Sequence, residues 1–544
     1  MHHQALFSAR QAAILLCLSV ATGLFAQTGA RYLIITYDGF YDAVQPLAQW
    51  KQQKGMECVV TKLSQIGTSP TSTQIRSYIL HAESTWLPKP EFVLLVGAGN
   101  LLPAFSKGGG QRDRIYTDNP YGDLTGDYVA ELPYGRLPCK TAQQCSVMVA
   151  KTLVYERTPY LTDTLWFRRG TSAVADVVDG DAPTYWSDVR FVAGLAGVSG
   201  YAGIDSFAGT RGDSSVDVVN SINQGTSFLL FRGEAGGNWI PPFEMNPLDC
   251  NNPNMLPIIC SFTCQTEALD QYDTMVGDCW LKAGTPQALK GGVAFIGNTH
   301  SASHVATRRS AMTHGFFASF FSDTVRYLGL AALAGKLQIK SQFSDSIEYM
   351  GFNLLGDPEL NFYTRTPHEL DVNYPGEIPA GADTFPVLVM KDGAVLANAL
   401  VCVQDTANSV YQYGYSDAGG ACQFVFSTTR ASVLSVTATA HNSVPFEGQA
   451  GIGMSCVNSR PDLSFRQQAA RLVLMPNPTH GRVSISGVPN SFIRVFSASG
   501  MLVWEYRSGT GQAELNTNSL PAGAYVARAS AAGVRTSRVL QIAK

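Results

Sequence analysis

Three runs of buried-type residues each end on a group that could do chemistry. "TSFLLFRG" (Thr226 to Gly233) runs into Glu234, "MLPIICSFTC" (Met255 to Cys264) ends on Cys264, and "GGVAFIGNTH" (Gly291 to His300) ends on His300. If the three runs are neighbouring parallel strands, their carboxyl ends share one edge of a sheet and a carboxylate, a thiol and an imidazole converge there. A thiolate is a nucleophile, and an imidazole can take its proton and then stabilise it. A carboxylate beside the thiol opposes the second negative charge, so Glu234 is a poor partner for Cys264. His300 is the nearest alternative in the pattern, with His304 and His314 further along the chain. Metal-assisted hydrolysis through Glu234 lacks any matching ligand spacing, and no C-x-x-C pair stands opposite a second Cys or His pair as a structural zinc site requires.

The elements that would hold these groups follow from periodicity. "RYLIITY" and "EFVLLVG" are continuous apolar runs of the kind buried on both faces of a parallel sheet. Between them, "FYDAVQPLAQWKQQKG" places Val44, Leu47, Ala48 and Trp50 at helical spacing, and "STQIRSYILHAESTW" does the same with Ile75, Ile79 and Ala82. Alternation of this kind from Arg31 to about Thr364 predicts an α/β parallel sheet with flanking helices. Helical periodicity then stops. "FPVLVMKDGAVLANALVCVQD", "VYQYGYSDAGGACQFVFS" and "SVLSVTATAH" are strands broken by Asp-Gly and Gly-Gly turns, which predicts an immunoglobulin-like β-sandwich, and after a polar linker a second small β-sandwich fills the remainder.

A chain of 544 residues is too long for one core. Charged residues are 15% and the net charge is -3, which excludes a nucleic-acid surface and an acidic tail. Arg10 precedes the apolar run Ala12 to Phe25, too short to span a membrane comfortably and followed by small Ala26, the form of an export leader cut near that residue. The leader runs almost directly into the first strand at Arg31, so control by a long inhibitory prodomain is not expected. Of the eleven cysteines, Cys17 lies in the leader, and Cys402 with Cys422 is the easiest local disulfide to propose for an oxidising compartment. The expected organisation is a leader at 1–26, an α/β unit at 27–365, a sandwich at 366–455, a linker at 456–470 and a terminal domain at 471–544.

Two resemblances add to this reading. "LMPNPTHGRVSISG", "RVFSASGMLV" and "LNTNSLPAGAYVARAS", with Pro476-Asn477-Pro478, Gly481, Gly500, Leu520, Gly523 and Tyr525, resemble the carboxy-terminal sorting domain of the type IX secretion system. That resemblance implies export through the periplasm, engagement of that machinery, and release or attachment at the cell surface. "YLIITYDGFYDAVQPLAQWKQQKG", "PEFVLLVGAGNLLP", "YGDLTGDYVAELPYGRLP", "LPIICSFTC", "GGVAFIGNT" and "NLLGDPEL" occur in the order found in the gingipain family of cysteine peptidases, which the segment from Tyr32 to about Tyr363 resembles.

The gingipain resemblance implies a caspase-like fold, a peptide or protein substrate and hydrolysis through a cysteine that falls on Cys264. It places the acid that orients the catalytic histidine on Glu131, with a loop cap or a pair with Arg136 as the alternative for that carboxylate. The family's histidine position is occupied here by Glu234. Either His300 has taken over the role, or the domain has lost catalysis and binds peptides or partners. No cofactor is required on this reading, although family members bind calcium. The turn acids Asp118, Asp123 and Asp127 do not have the spacing of a helix-loop-helix calcium loop. The helix after "GRLP" reads "CKTAQQCSVM", without the acid of arginine-specific relatives, so a basic residue before the scissile bond is not supported.

Overall fold

The computed structural model describes residues 29–108, 114–177, 180–269, 275–302, 305–379, 381–405, 409–428, 432–453, 472–486, 491–497, 502–508, 510, 512–531 and 534–543. The expected leader, the linker and His304 lie outside the described residues.

Ten strands form the central sheet: β1 Tyr32–Thr36, β2 Cys58–Lys62, β3 Phe92–Val96, β4 Tyr134–Leu137, β5 Arg169–Val174, β6 Gly203–Ala208, β7 Phe228–Arg232, β8 Ile258–Ser261, β9 Ala294–Asn298 and β10 Phe352–Leu355. Their order is β2-β1-β3-β4-β10-β9-β8-β7-β5-β6. Neighbours are parallel throughout except at one join, where β9 pairs antiparallel with β10 through Phe295↔Leu355 to Asn298↔Phe352. The expected parallel sheet is thus two parallel halves joined back to back. The cause is the connection after β9, which returns to the edge it left. The Thr299 N–H donates to Gly351 O at 3.0 Å, so β10 has to start where β9 ends and run the other way.

Why β7, β8 and β9 read as unbroken apolar runs is plain from the packing. Alternate residues feed opposite cores, with Phe228, Leu230, Ile258, Cys260, Ala294 and Ile296 on one face. Leu229, Phe231, Ile259 and Phe295 fill the other. Burying each such large side chain contributes about 1.5–3 kcal/mol, and no polar residue could be tolerated on either face without a partner. Helices α1 Tyr41–Gln53 and α2 Ser72–Thr85 bury the residues their periodicity marked, namely Val44, Leu47, Ala48 and Trp50 in the first and Ile75, Ile79 and Ala82 in the second. Thr71 caps α2 reciprocally with Gln74. The further helices used below are α3 Ala142–Glu156, α4 Ala182–Val198, α5 Val276–Lys282, α6 Ala306–Phe320, α7 Leu328–Phe343 and α8 Ser346–Gly351.

From His368 to Gly453 two five-stranded sheets enclose a core that includes Val387, Val389, Val401, Val403, Phe424, Leu434 and Val436. Cys402 and Cys422 are both free. Val401 and Val403 point into the sandwich core, so Cys402 between them faces out toward α1, with Sγ 3.9 Å from Gln52 O, while Cys422 lies in the core. The local disulfide is therefore not formed. This sandwich and the α/β part make one compact unit, and residues 455–544 make a second. The second unit holds a three-stranded and a four-stranded antiparallel sheet around Val483, Ile485, Ile493, Val495, Ala527 and Leu540.

Candidate active site

Because β9, β8 and β7 are parallel neighbours, Glu234, Cys264 and His300 do leave the same edge of the sheet. The turn after β7 depends on a glycine. Gly233 has φ +156°, and a Cβ there would lie 2.6 Å from the Ala175 Cβ, so no other residue fits without displacing β5.

Arg232, the last residue of β7, is structural. Its guanidinium is fully buried, donates from Nε to Asp188 Oδ2 at 2.7 Å, and donates to the carbonyls of Phe262 and, at 3.0 Å, Ala306. It thus ties β7 to α4, to the loop carrying Cys264 and to the start of α6. Burial alone would raise the Asp188 carboxyl, but Arg232 and His314 hold it below the usual range. His314 is consumed in this support, with Nε2 3.0 Å from Asp188 Oδ1 and its ring 4.2 Å from that of Phe191.

Cys264 is half-buried, and its closest polar partner is cationic. Arg309, on the first turn of α6, places Nη1 2.9 Å from Sγ, while Sγ lies 3.4 Å from Ala302 O. The same guanidinium donates from Nε to Glu348 Oε1 at 2.9 Å and from Nη2 to Ala302 O at 3.0 Å. Glu348, fully buried on α8, is 2.7 Å from His300 Nδ1 through Oε2 and accepts from Asn298 Nδ2 at 2.8 Å. Thiol, guanidinium, carboxylate and imidazole therefore form one chain of contacts. Burial works against the charges of this chain. Even so, Arg309 and His300 keep the Glu348 carboxyl below its ordinary range, and Glu348 and Cys264 raise the Arg309 guanidinium.

The other expected residues fall as follows. Glu234 lines the cleft that Cys264 and Arg309 open into, with Asp181, Tyr185 and Val305 around it. His300 is buried, and its Nε2 has no hydrogen-bond partner, so neither ring nitrogen bonds to the Cys264 sulfur. Glu131 is not brought into this cluster. It accepts from Leu124 N at 2.8 Å and Thr125 Oγ1 at 3.2 Å, which makes it a loop cap, while Arg136 pairs with Asp118 at 2.6 Å. Asp123 and Asp127 cap the same turn through the N–H groups of Gly126, Tyr128 and Val129.

Among the described residues one cluster of three acids has metal-like spacing: Glu156, Asp357 and Glu359. Its donors do not suit calcium. Lys51 Nζ lies 3.1, 2.5 and 2.5 Å from the three carboxylates, and Lys54 Nζ lies 2.5 Å from Glu156 and 2.6 Å from Glu359, so two ammonium groups fill the space a cation would need. Arg309 and Glu348 escaped sequence reasoning. The one available signal was an arginine on the first turn of the helix that follows β9.

Residues 25–363 match the model of peptidase family C25, and residues 473–543 match the secretion system C-terminal sorting domain. The chain belongs to peptidase family C25 and, through the type IX sorting domain, is secreted or held at the cell surface. Among curated relatives, Gingipain R2 of Porphyromonas gingivalis is 23% identical over 377 residues, covering 67% of this chain and 50% of the relative. Lys-gingipain of the same organism is 27% identical over 135 residues, covering 24% of this chain and 8% of the relative. The chain thus spans about half the length of the Gingipain R2 it matches. The crystal structure of the Arg-specific cysteine proteinase gingipain R superposes with a TM-score of 0.67 at 20% identity, covering 79% of this chain and 99% of that one. The complex of the RgpB pro- and mature domains gives 0.68 at 20% identity, with 78% and 100% covered.

Proposed function

We propose that the chain is an exported cysteine peptidase in which the Cys264 thiolate, held by Arg309, attacks the carbonyl carbon of a peptide or protein substrate. The observation that carries this reading is the 2.9 Å approach of the Arg309 guanidinium to Sγ, at the sheet edge where strand ends converge. Attack forms a thioester and releases an amine, which needs a proton. Water then hydrolyses the thioester, returning the thiolate and a proton. Glu234, in the same cleft, is the proton carrier of this scheme: its acid form protonates the leaving amine and its carboxylate takes the proton back from water. Arg309 relieves the like-charge problem that a carboxylate poses for a thiolate, because it supplies the positive charge an imidazolium would otherwise give. His300 and Glu348 act by orienting Arg309. Glu131 has only its loop-capping role in this scheme, and no step passes through calcium.

The same reading takes 1–26 as the leader, 27–365 as a caspase-like peptidase unit, 366–455 as an immunoglobulin-like sandwich, 456–470 as a linker and 471–544 as the sorting domain that engages the type IX machinery, with surface attachment as one end state. The test is cleavage of a mixed peptide library by purified chain. Turnover lost in Cys264→Ala supports the peptidase. One observation favours a second reading, a peptide-binding protein without catalysis: Glu234 stands where family members keep a histidine, and no His300 nitrogen reaches Sγ. Cys264-dependent labelling by an acyloxymethyl ketone with no turnover of any peptide would select that reading over the first.

A further inference from the structure

A cavity lies away from Cys264, where the α/β part meets the first sandwich. It measures about 370 Å³. Its walls come from the segment between α6 and α7, which supplies Asp323 and Arg326, from the connector carrying Arg365, and from the sandwich, which supplies His368, Lys391, Asp392 and His441. The acids are used at the rim. Asp323 holds Arg365 at 3.0 Å and Asp392 holds His368 at 2.8 Å, and all four of these side chains are about half exposed or more.

Two further lining cations, both partly buried, donate to backbone carbonyls. Arg326 donates to Asn398 O at 2.7 Å, and Lys391 donates to Asn442 O at 2.7 Å. Neither has a carboxylate within ion-pair distance among the described residues. Beside them His441 shares Nδ1 with Asn361 Oδ1 at 3.3 Å, and its buried Nε2 has no partner. A carbonyl satisfies a donor but does not neutralise its charge, so an arginine and a lysine brought together on carbonyls leave a positive potential inside a polar, ligand-sized space.

We propose that this junction cavity binds a compact oxyanion, carboxylate or phosphate, borne by a small molecule, with Arg326, Lys391 and His441 as its donors. The inference does not rest on the peptidase reading. Tautomer chemistry supplies a signature. With Nδ1–H donating to Asn361, a neutral His441 offers only a lone pair at Nε2, and it must gain a proton to donate to an anion. Burial, and then Arg326, hold His441 down to about 4 in the free protein, with Lys391 and Arg365 acting in the same direction, Asp323 opposing, and the Phe362 ring packed edge-on. Burial likewise lowers Lys391, with Asp392 opposing and Arg365 reinforcing the fall. An anion in the cavity works against the lowering of both groups, so binding favours a proton on His441 and tightens as pH falls.

The experiment is calorimetric titration of the full chain with inorganic phosphate and with succinate, at about pH 6 and about pH 8, in buffers of different ionisation enthalpy. Saturable binding of one anion per chain is expected, with proton uptake and with affinity about tenfold higher at the lower pH. Lys391→Gln should weaken binding about tenfold at both pH values, and His441→Gln should reduce proton uptake and lessen the pH dependence. Melting curves check that each variant is folded, and Arg326→Lys replaces Lys391→Gln if the latter is not. Phosphate binding without succinate binding assigns a phosphate site, and the converse a carboxylate site. Saturation by neither anion overturns the proposal. So does binding undiminished in the folded cation variant, or proton uptake, beyond the anion's own titration, that is undiminished in His441→Gln.

Discussion

The nearest polar group to the Cys264 sulfur, Arg309 Nη1, comes from a residue 45 positions away in the sequence. Removing that cation without adding bulk, as in Arg309→Met, should slow alkylation of Cys264 by iodoacetamide at neutral pH about tenfold, because a hydrogen bond to a charged sulfur is worth more than one to a neutral one. The readout is the site-resolved alkylation rate. Burial pushes the Cys250 and Cys402 thiols up to about 12 and Cys260 well above the ordinary thiol range, so in the wild type Cys264 should be modified before these three. An equal rate in Arg309→Met would show that the guanidinium does not govern the thiolate. Glu234 allows a second test at this scale. If it carries the proton, peptide turnover requires its acid form and rises as pH falls toward the carboxylate range. Glu234→Gln then loses turnover, while Glu234→His moves the optimum toward the imidazole range near pH 6.5. A pH profile unchanged in Glu234→Gln removes it from the scheme.

At the scale of elements, α1 and α3 are held to the end of the sheet by the buried cluster of Lys51, Lys54, Glu156, Asp357 and Glu359. Lys51→Met leaves three buried carboxylates facing one ammonium and should cost about 3–5 kcal/mol, read as a lower denaturation midpoint. Burial opposes the Glu156 charge, yet Lys51 and Lys54 hold its carboxyl down to about 2. A depressed carboxyl contributes stability that is present above its ordinary value and is lost as pH falls through the folded one. This contribution should therefore fade between about pH 4.5 and 2, and in Lys51→Met that part of the acid transition should move to higher pH. Such clusters also mark the limit of what the sequence could tell. β1, β3, β7, β8 and β9 were legible because a strand buried on both faces is apolar over most of its length, and α1 and α2 because one face of each was. The positions of Glu234, Cys264 and His300 followed from strand ends. The antiparallel join was not legible, because the short run of β10, Phe352–Leu355, carries no mark of direction. Nor were Arg309, which reaches Cys264, and Glu348, which holds Arg309, since both come together only when α6 and α8 fold back over the edge where β9 ends.

For the whole molecule the division into two units separates chemistry from destination. The described partners of Cys264, Ala302 and Arg309, lie in the unit ending at Met454, and the sorting domain has a core of its own in the unit that follows. No residue of the Arg309, Glu348 and His300 chain depends on a partner beyond residue 454 among the described contacts. Removing residues 471–544 should therefore stop passage through the outer membrane and leave the chain in the periplasm, while the alkylation rate of Cys264 in the retained protein stays within about twofold of the full chain. Fractionation with site-resolved labelling reads both outcomes in one experiment. Unchanged secretion would sink the sorting role of the terminal unit. A large fall in the Cys264 rate would mean that the terminal unit supports the active-site cleft, and then export and chemistry would be one design and not two.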